Sequence, residues 1–222
     1  MSLPAHFKEE RMTRYQNYLF DLDGTLTDPG TGIKNSIRYA LTRFGLPSLE
    51  ETILDRFIGP PLLDSFVKYC GVSNEDSRTL LALYREYFAD RGIYENTVYG
   101  EIPRMLTELR SRGAHLFLAT SKPEPFAKRI LEHFDLIRYF DFVGGSTMDE
   151  TRTDKAEVIA YVLTETGIDP ALSVMVGDRS YDIKGGTANG MDTVGVLYGY
   201  GNAEELSDAT HLIGSPIELL RI

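Results

Sequence analysis

Short apolar runs that end in acidic or hydroxyl residues alternate along this chain with stretches whose apolar positions recur every three or four residues. Tyr18-Leu19-Phe20 runs into Asp21, residues 115–119 (HLFLA) into Thr120, residues 140–143 (FDFV) into Gly144-Gly145, and Val174-Met175-Val176 into Gly177-Asp178. A fifth run, residues 193–196, comes after them. Each is short enough for a strand, and such runs alternating with helical patterns are the signature of a parallel α/β sheet. Between them Ile102, Met105, Leu106 and Leu109 fall at helical spacing, as do Phe126, Ile130 and Phe134, then Ile159, Val162 and Leu163. These are read as crossover helices of a parallel, Rossmann-like α/β sheet. Asp154 with Glu157, and Asn202 with Glu205, have the spacing of capping boxes that start two helices.

Residues 28–95 break the alternation, with one helical pattern after another and no strand. Ile33, Ile37, Ala40, Leu41 and Phe44 make one stripe, Leu63, Phe66, Val67 and Cys70 a second, and Leu80, Leu81, Tyr84, Tyr87 and Phe88 a third. Ser48 with Glu51 predicts a cap for a further short helix. The expected organisation is an α/β core from residues 15–27 and 96–222, with residues 28–95 inserted as an all-helical cap over the carboxyl edge of the sheet. Residues 1–14 read as a polar tail, in part an expression remnant, with Ser2-Leu3 the telling pair.

Length and charge narrow the picture. A chain of 222 residues suits one core domain and a modest insertion, and 42% hydrophobic with 25% charged residues is enough to bury a core. A net charge of −10 argues against a nucleic-acid polymer as partner. It leaves small phosphorylated ligands open, because a metal ion, one lysine and backbone N–H groups make a locally positive site. The single Cys70 has no internal disulfide partner, as in a reducing compartment, and no apolar run approaches a membrane span. A soluble, cytoplasmic protein, monomer or homodimer, is the expectation.

The chemistry concentrates at the predicted strand ends. Asp21-Leu22-Asp23-Gly24-Thr25 comes directly after the first strand, a pattern that chance supplies in roughly a few per thousand chains of this length. Two carboxylates two residues apart, with a flexible glycine behind them, converge readily on a hard cation such as Mg²⁺. Gly177-Asp178-Arg179-Ser180-Tyr181-Asp182 repeats the theme with carboxylates four apart. Asp182 is open to a second reading, a first-turn acid favoured by the helix dipole. Thr120 and Ser121 either hold a phosphate oxygen or cap the next helix. Lys155 stands near a helix start, where the dipole disfavours a cation; it is either solvated or opposite a bound anion.

In this order, DLDGT, Thr120 after a strand, Lys155 and GDRSYD, with a helical insertion after the first motif, the chain resembles the haloacid dehalogenase superfamily from about Tyr15 to Ile222. It is most similar to the phosphatases with a helical cap, the phosphoglycolate phosphatases and nucleotidases. Residues 56–62 (RFIGPPL) resemble a cap loop of phosphoglycolate-phosphatase-like members. The resemblance implies an Mg²⁺-dependent phosphatase acting on a small phosphomonoester through an aspartyl-phosphate. It implies Asp21 as nucleophile, Asp23 as general acid/base, Thr120 and Lys155 as phosphate-holding and charge-stabilising groups, and Asp21, Asp23 (by its carbonyl), Asp178 and Asp182 as metal ligands or supports. Gly24, Thr25, Ser121, Gly59 and Arg56 are the further expected substrate contacts, and Lys34 and Arg43 stand near enough in sequence to meet a second charged group. Pro29 and Ser121 depart from the serine and asparagine of many relatives. The alternatives are a phosphomutase of the β-phosphoglucomutase type, against which the IGPPL loop speaks, and a non-catalytic phospho-aspartate or binding module. Asp23 argues against a dehalogenase.

Overall fold

A computed structural model describes residues 14–222; the expected tail at 1–14 lies, but for Arg14, outside the described residues. Strand β1 (Asn17–Phe20) lies centrally in a six-stranded sheet, paired in parallel on one side with β4 (His115–Pro123) and on the other with β6 (Ser173–Gly177). β5 (Phe142–Ser146) extends the sheet beyond β4, and β7 (Asp192–Val196) and β8 (His211–Ile213) extend it beyond β6, for the order β5-β4-β1-β6-β7-β8. All five pairings are parallel.

The period of two sorts the strand residues onto two faces. Tyr18, Phe20, Leu116, Leu118, Val174 and Val176 pack on one side, with α5 (Ile102–Ser111) and α6 (Glu124–His133). Leu19, Phe117, Ala119 and Met175 pack on the other with Val158, Ile159 and Val162 of α7 (Lys155–Thr166). α8 (Ser180–Ala188) comes after β6. Both faces are covered, which is why the strands read as continuous apolar runs.

Register fixes the functional edge. Phe20 stands opposite Leu118 and Val176, so Asp21 is one residue past that level, and Thr120 and Asp178 are two past it. The carboxyl ends of neighbouring strands are where open α/β sheets bind ligands.

Between β2 (Thr27–Asp28) and β3 (Thr97–Val98) the chain is helical: α1 (Gly30–Phe44), the single turn α2 (Glu51–Leu54), α3 (Leu62–Cys70) and α4 (Asn74–Asp90). β2 and β3 pair antiparallel, so the outgoing and returning segments run side by side. At two residues each, they are too short to leave a periodic signal in the sequence. α1 starts close to the end of this excursion: Gly32 N donates to Glu95 O at 3.0 Å, and a Cβ on Gly32 would fall 2.0 Å from the Gly92 carbonyl oxygen. Among the described residues no helix is long and apolar enough to cross a membrane.

Two capping expectations are corrected. α2 starts after Glu50, without a side-chain cap, because the Glu51 carboxylate is drawn to Arg38 and Lys34 instead of folding back toward Ser48. Asn202 accepts from the backbone of Glu204 and Glu205, but the segment it opens is a turn rather than a helix, and Glu205 is engaged by Arg179. Asp154 does cap α7, accepting from Ala156 N at 2.8 Å.

Gly32→Ala should therefore lower unfolding free energy by about 1–3 kcal/mol through forced separation of α1 from the Gly92 turn. Gly100→Ala, with open space around it, should stay within about 0.5 kcal/mol. Urea denaturation of the two variants checks both.

Candidate active site

Asp21 is buried at the end of β1, and its Oδ1 lies 2.8 Å from Lys155 Nζ. Lys155 is the first residue of α7, a position where the helix dipole repels a cation. It is also buried, so the solvated reading fails. The anions that hold it there belong to the protein itself: Asp21 on one side and Asp182 Oδ1 at 2.9 Å on the other, with a further bond to the Ala119 carbonyl at 3.1 Å. Burial opposes the Lys155 charge, but the fields of Asp182 and Asp21 outweigh it and raise its pKa.

The first-turn reading of Asp182 holds, and its second oxygen turns to Lys155. Its Oδ2 accepts the Arg179 backbone N–H at 3.0 Å at the start of α8, while Oδ1 faces Lys155. Asp178 has no exposed surface; Oδ1 accepts from Thr25 Oγ1 at 3.3 Å and Oδ2 from Tyr200 N at 2.8 Å. Gly24, at φ +84°, lies so close that a Cβ would fall 2.2 Å from Asp178 Oδ2. Gly24 and Thr25, expected to contact phosphate, are thus packed on Asp178, and the Thr25 hydroxyl is spent there.

Asp21, Asp178 and Asp182 each place one carboxylate oxygen within 4.8 Å of the others. One lysine against three carboxylates leaves a formal charge of −2 in a buried pocket. Burial, then the mutual repulsion of the carboxylates, holds Asp178 well above the usual range. Asp182 is pushed up to about 6 by burial, with Lys155 opposing. A compact set of hard oxygen donors short of positive charge fits a hard divalent cation.

Asp23 is held by a residue that its own sequence neighbourhood does not single out. Its Oδ2 pairs with Lys122 Nζ at 2.8 Å, while Oδ1 is buried without a hydrogen-bond partner among the described residues. Burial raises the Asp23 pKa and Lys122 opposes the rise. Nothing in the local pattern of Thr-Ser-Lys-Pro announces this long-range pair. Thr120, where the register of β4 shifts, is buried and accepts from Lys122 N at 3.3 Å.

Two cavities open here. The inner one, about 90 Å³, is walled by Asp21, Asp23, Thr120 and Lys122 at the sheet edge and by Phe57, Tyr84 and Phe88 from the helical insertion. The outer one, about 520 Å³, is lined by Arg56, Lys68, Tyr69, Lys155, Arg179 and Tyr181. Gly59, Pro60, Pro61, Ser121 and Thr153 border both. Ser121, Gly59 and Arg56 are therefore at the cavities, as expected. Lys34 and Arg43 are not. Lys34 pairs with Asp55 at 2.5 Å and Glu51 at 3.5 Å, and exposed Arg43 donates to Tyr39 at 2.7 Å and faces Glu86 at 3.9 Å, because each finds an acid on the surface of its own helical bundle.

Arg179, a member of the GDRSYD motif with no expected role, spans from core to insertion: its Nη1 donates to the Ile58 carbonyl at 2.6 Å and its Nε to Glu205 at 2.9 Å. Opposite, Arg85 of α4 pairs with Glu150 and donates to the Met148 carbonyl at 3.1 Å.

The family model for haloacid dehalogenase-like hydrolases matches residues 18–196. A Pseudomonas aeruginosa protein named 5′-nucleotidase is 44% identical over 193 residues, 87% of this chain and 87% of its own length. A Mycobacterium tuberculosis protein named tyrosine-protein kinase PtkA is 40% identical over 189 residues, 85% of this chain and 64% of its own length. The crystal structure of a predicted phosphatase from Clostridium acetobutylicum superposes with a TM-score of 0.89 at 40% identity, over 94% of this chain and 99% of that one.

The acidic triad carries a stability prediction. Folded-state pKa values raised above those of the unfolded chain mean that the metal-free protein loses stability from these groups as pH rises toward and through about 6. A bound dication supplies the missing charge at neutral pH and competes with protons at low pH. At a hundredfold excess over its Kd, MgCl₂ should raise Tm relative to EDTA by about 5–10 °C at about pH 7.5 and by less at about pH 5. In Asp178→Asn the difference should vanish; differential scanning calorimetry reads it.

Proposed function

The chain belongs to the haloacid dehalogenase-like hydrolases, and we propose that it hydrolyses a small phosphomonoester, of the phosphoglycolate or nucleoside 5′-monophosphate class, through an aspartyl-phosphate on Asp21. The observation that carries this reading is the pairing of a buried carboxylate, Asp21, with Lys155 at 2.8 Å inside an acidic triad, at the wall of a cavity it shares with Asp23.

Asp21 attacks phosphorus, and the bond from phosphorus to the ester oxygen breaks. Asp23 hands its proton to the departing alkoxide; its raised pKa favours the protonated form this step requires. Water then attacks the phosphoryl group on Asp21, giving its proton to Asp23, and inorganic phosphate leaves with both carboxyl groups restored. Lys155 offsets charge on Asp21 and on the phosphoryl oxygens that approach it, and Thr120 supports those oxygens from β4. Asp21, Asp178, Asp182 and the Asp23 carbonyl would hold Mg²⁺, directly or through its waters, which when bound neutralises the phosphoryl oxygens and makes approach of one anion to another feasible. The helical insertion acts as a cap, excluding bulk water from the inner cavity.

The class of substrate is supported from two sides. The name of the Pseudomonas relative favours a nucleoside 5′-monophosphate, and the 520 Å³ outer cavity beside the inner one gives the body of such a substrate room. The 90 Å³ inner cavity suits a leaving group as small as glycolate.

Phosphate release from a panel of phosphoglycolate, nucleoside 5′-monophosphates, sugar phosphates and pyrophosphate tests the reading. Turnover should require Mg²⁺ and vanish in EDTA and in Asp21→Asn, and should fall by about 10²–10⁴-fold in Asp23→Asn. Transfer of label from ATP to protein tyrosine without phosphate release from any ester would replace the phosphatase reading with that of the kinase-named relative.

A further inference from the structure

Lys122 is 9% exposed and occupies the position after Thr120 and Ser121, where β4 turns toward α6. A buried ammonium is costly unless it is paired. Among the described residues its one carboxylate partner is Asp23, at 2.8 Å. Its second contact is a ring: Nζ lies 4.4 Å from the centroid of Phe88. Phe88 comes from α4, in the helical insertion, and is itself braced against Tyr84 at 5.3 Å in a stack and against Phe126 of α6 at 5.5 Å edge to face. One side chain of the core is therefore clamped between a reacting carboxyl group and a ring delivered by the cap.

We propose that Lys122 is a positioning residue for Asp23, fixing one carboxyl oxygen so that the other serves the leaving group, and that the Phe88 ring makes this hold depend on the helical insertion being seated. The dependence comes from desolvation. With Phe88 in place, water is kept from Lys122 and its hydrogen bond to Asp23 Oδ2 has no competitor, so that oxygen stays fixed whether or not the other carries the proton; with the ring withdrawn, water competes for the ammonium and Asp23 regains rotational freedom. Proton delivery is thereby tied to the seated insertion. The proposal rests on the reading of Asp23 as proton donor given above.

The test varies the leaving group. p-Nitrophenolate departs without a proton, whereas phenolate from phenyl phosphate needs one, and kcat/KM for both reports the step in which phosphate passes to Asp21. Lys122→Met should lower kcat/KM for phenyl phosphate by about 10–100-fold and for p-nitrophenyl phosphate by less than about threefold. Phe88→Leu should discriminate in the same direction by a smaller factor, and Lys122→Arg should recover most of the loss. Asp23→Asn is the reference. If it impairs both esters equally, or if the unaltered enzyme turns over neither, the reading of the site fails; if it discriminates and Lys122→Met impairs both equally, or neither, the positioning role is overturned while that reading stands. Should Lys122→Met not fold, Phe88→Leu and Lys122→Arg carry the comparison alone, and equal losses on the two esters overturn the proposal.

Discussion

The acidic cluster at the functional edge depends on one buried ammonium, that of Lys155, placed against the dipole of its own helix. Two carboxylates, Asp21 from β1 and Asp182 from α8, hold it there. Removing the lysine would leave a cluster of buried acids uncompensated, a situation that costs several kcal/mol. With it, three segments far apart in sequence are pinned to one point, and the cluster still lacks the positive charge it needs. That residual deficit makes the site receptive to a dication and to the phosphoryl chemistry a dication supports. The same arrangement that stabilises the sheet edge therefore leaves it unsatisfied: enough charge to hold the residues together, too little to close the site to a ligand.

The elements with strong periodicity are legible without coordinates. All five apolar runs are strands, and the acidic or hydroxyl residues at their ends gather at one edge because parallel register aligns those ends. Asp21, Asp23, Thr120, Lys155, Asp178 and Asp182 are readable for the same reason, since each sits within a few residues of a strand end or a helix start. Long-range pairing between side chains escapes a reading of the sequence. Lys122 on Asp23, Arg179 on Ile58 and Arg85 on Glu150 each join residues 65 or more positions apart in the chain, and no local spacing encodes them. The capping boxes at Ser48 and Asn202 fail for a related reason: the glutamates that would have closed them find arginines elsewhere.

Polar groups join the sheet edge to the helices above it, beside an apolar cluster that runs through both. Arg179 leaves the acidic motif to reach the Ile58 carbonyl, Arg85 reaches down to Glu150 and Met148, and Phe88 covers Lys122. Tyr200 ties the crossing itself to the site, its backbone donating to Asp178 at 2.8 Å and its hydroxyl to Asp28 of β2. Polar contacts of this kind lose less on opening than an apolar interface would, because water replaces them.

The antiparallel pair of β2 and β3 places the departure and return of the helical excursion beside each other. Whatever lies between Asp28 and Thr97 is, mechanically, a loop closed at its base. Helices could be lengthened, shortened or exchanged there over evolutionary time while Asp21, Thr120 and Asp178 kept their register.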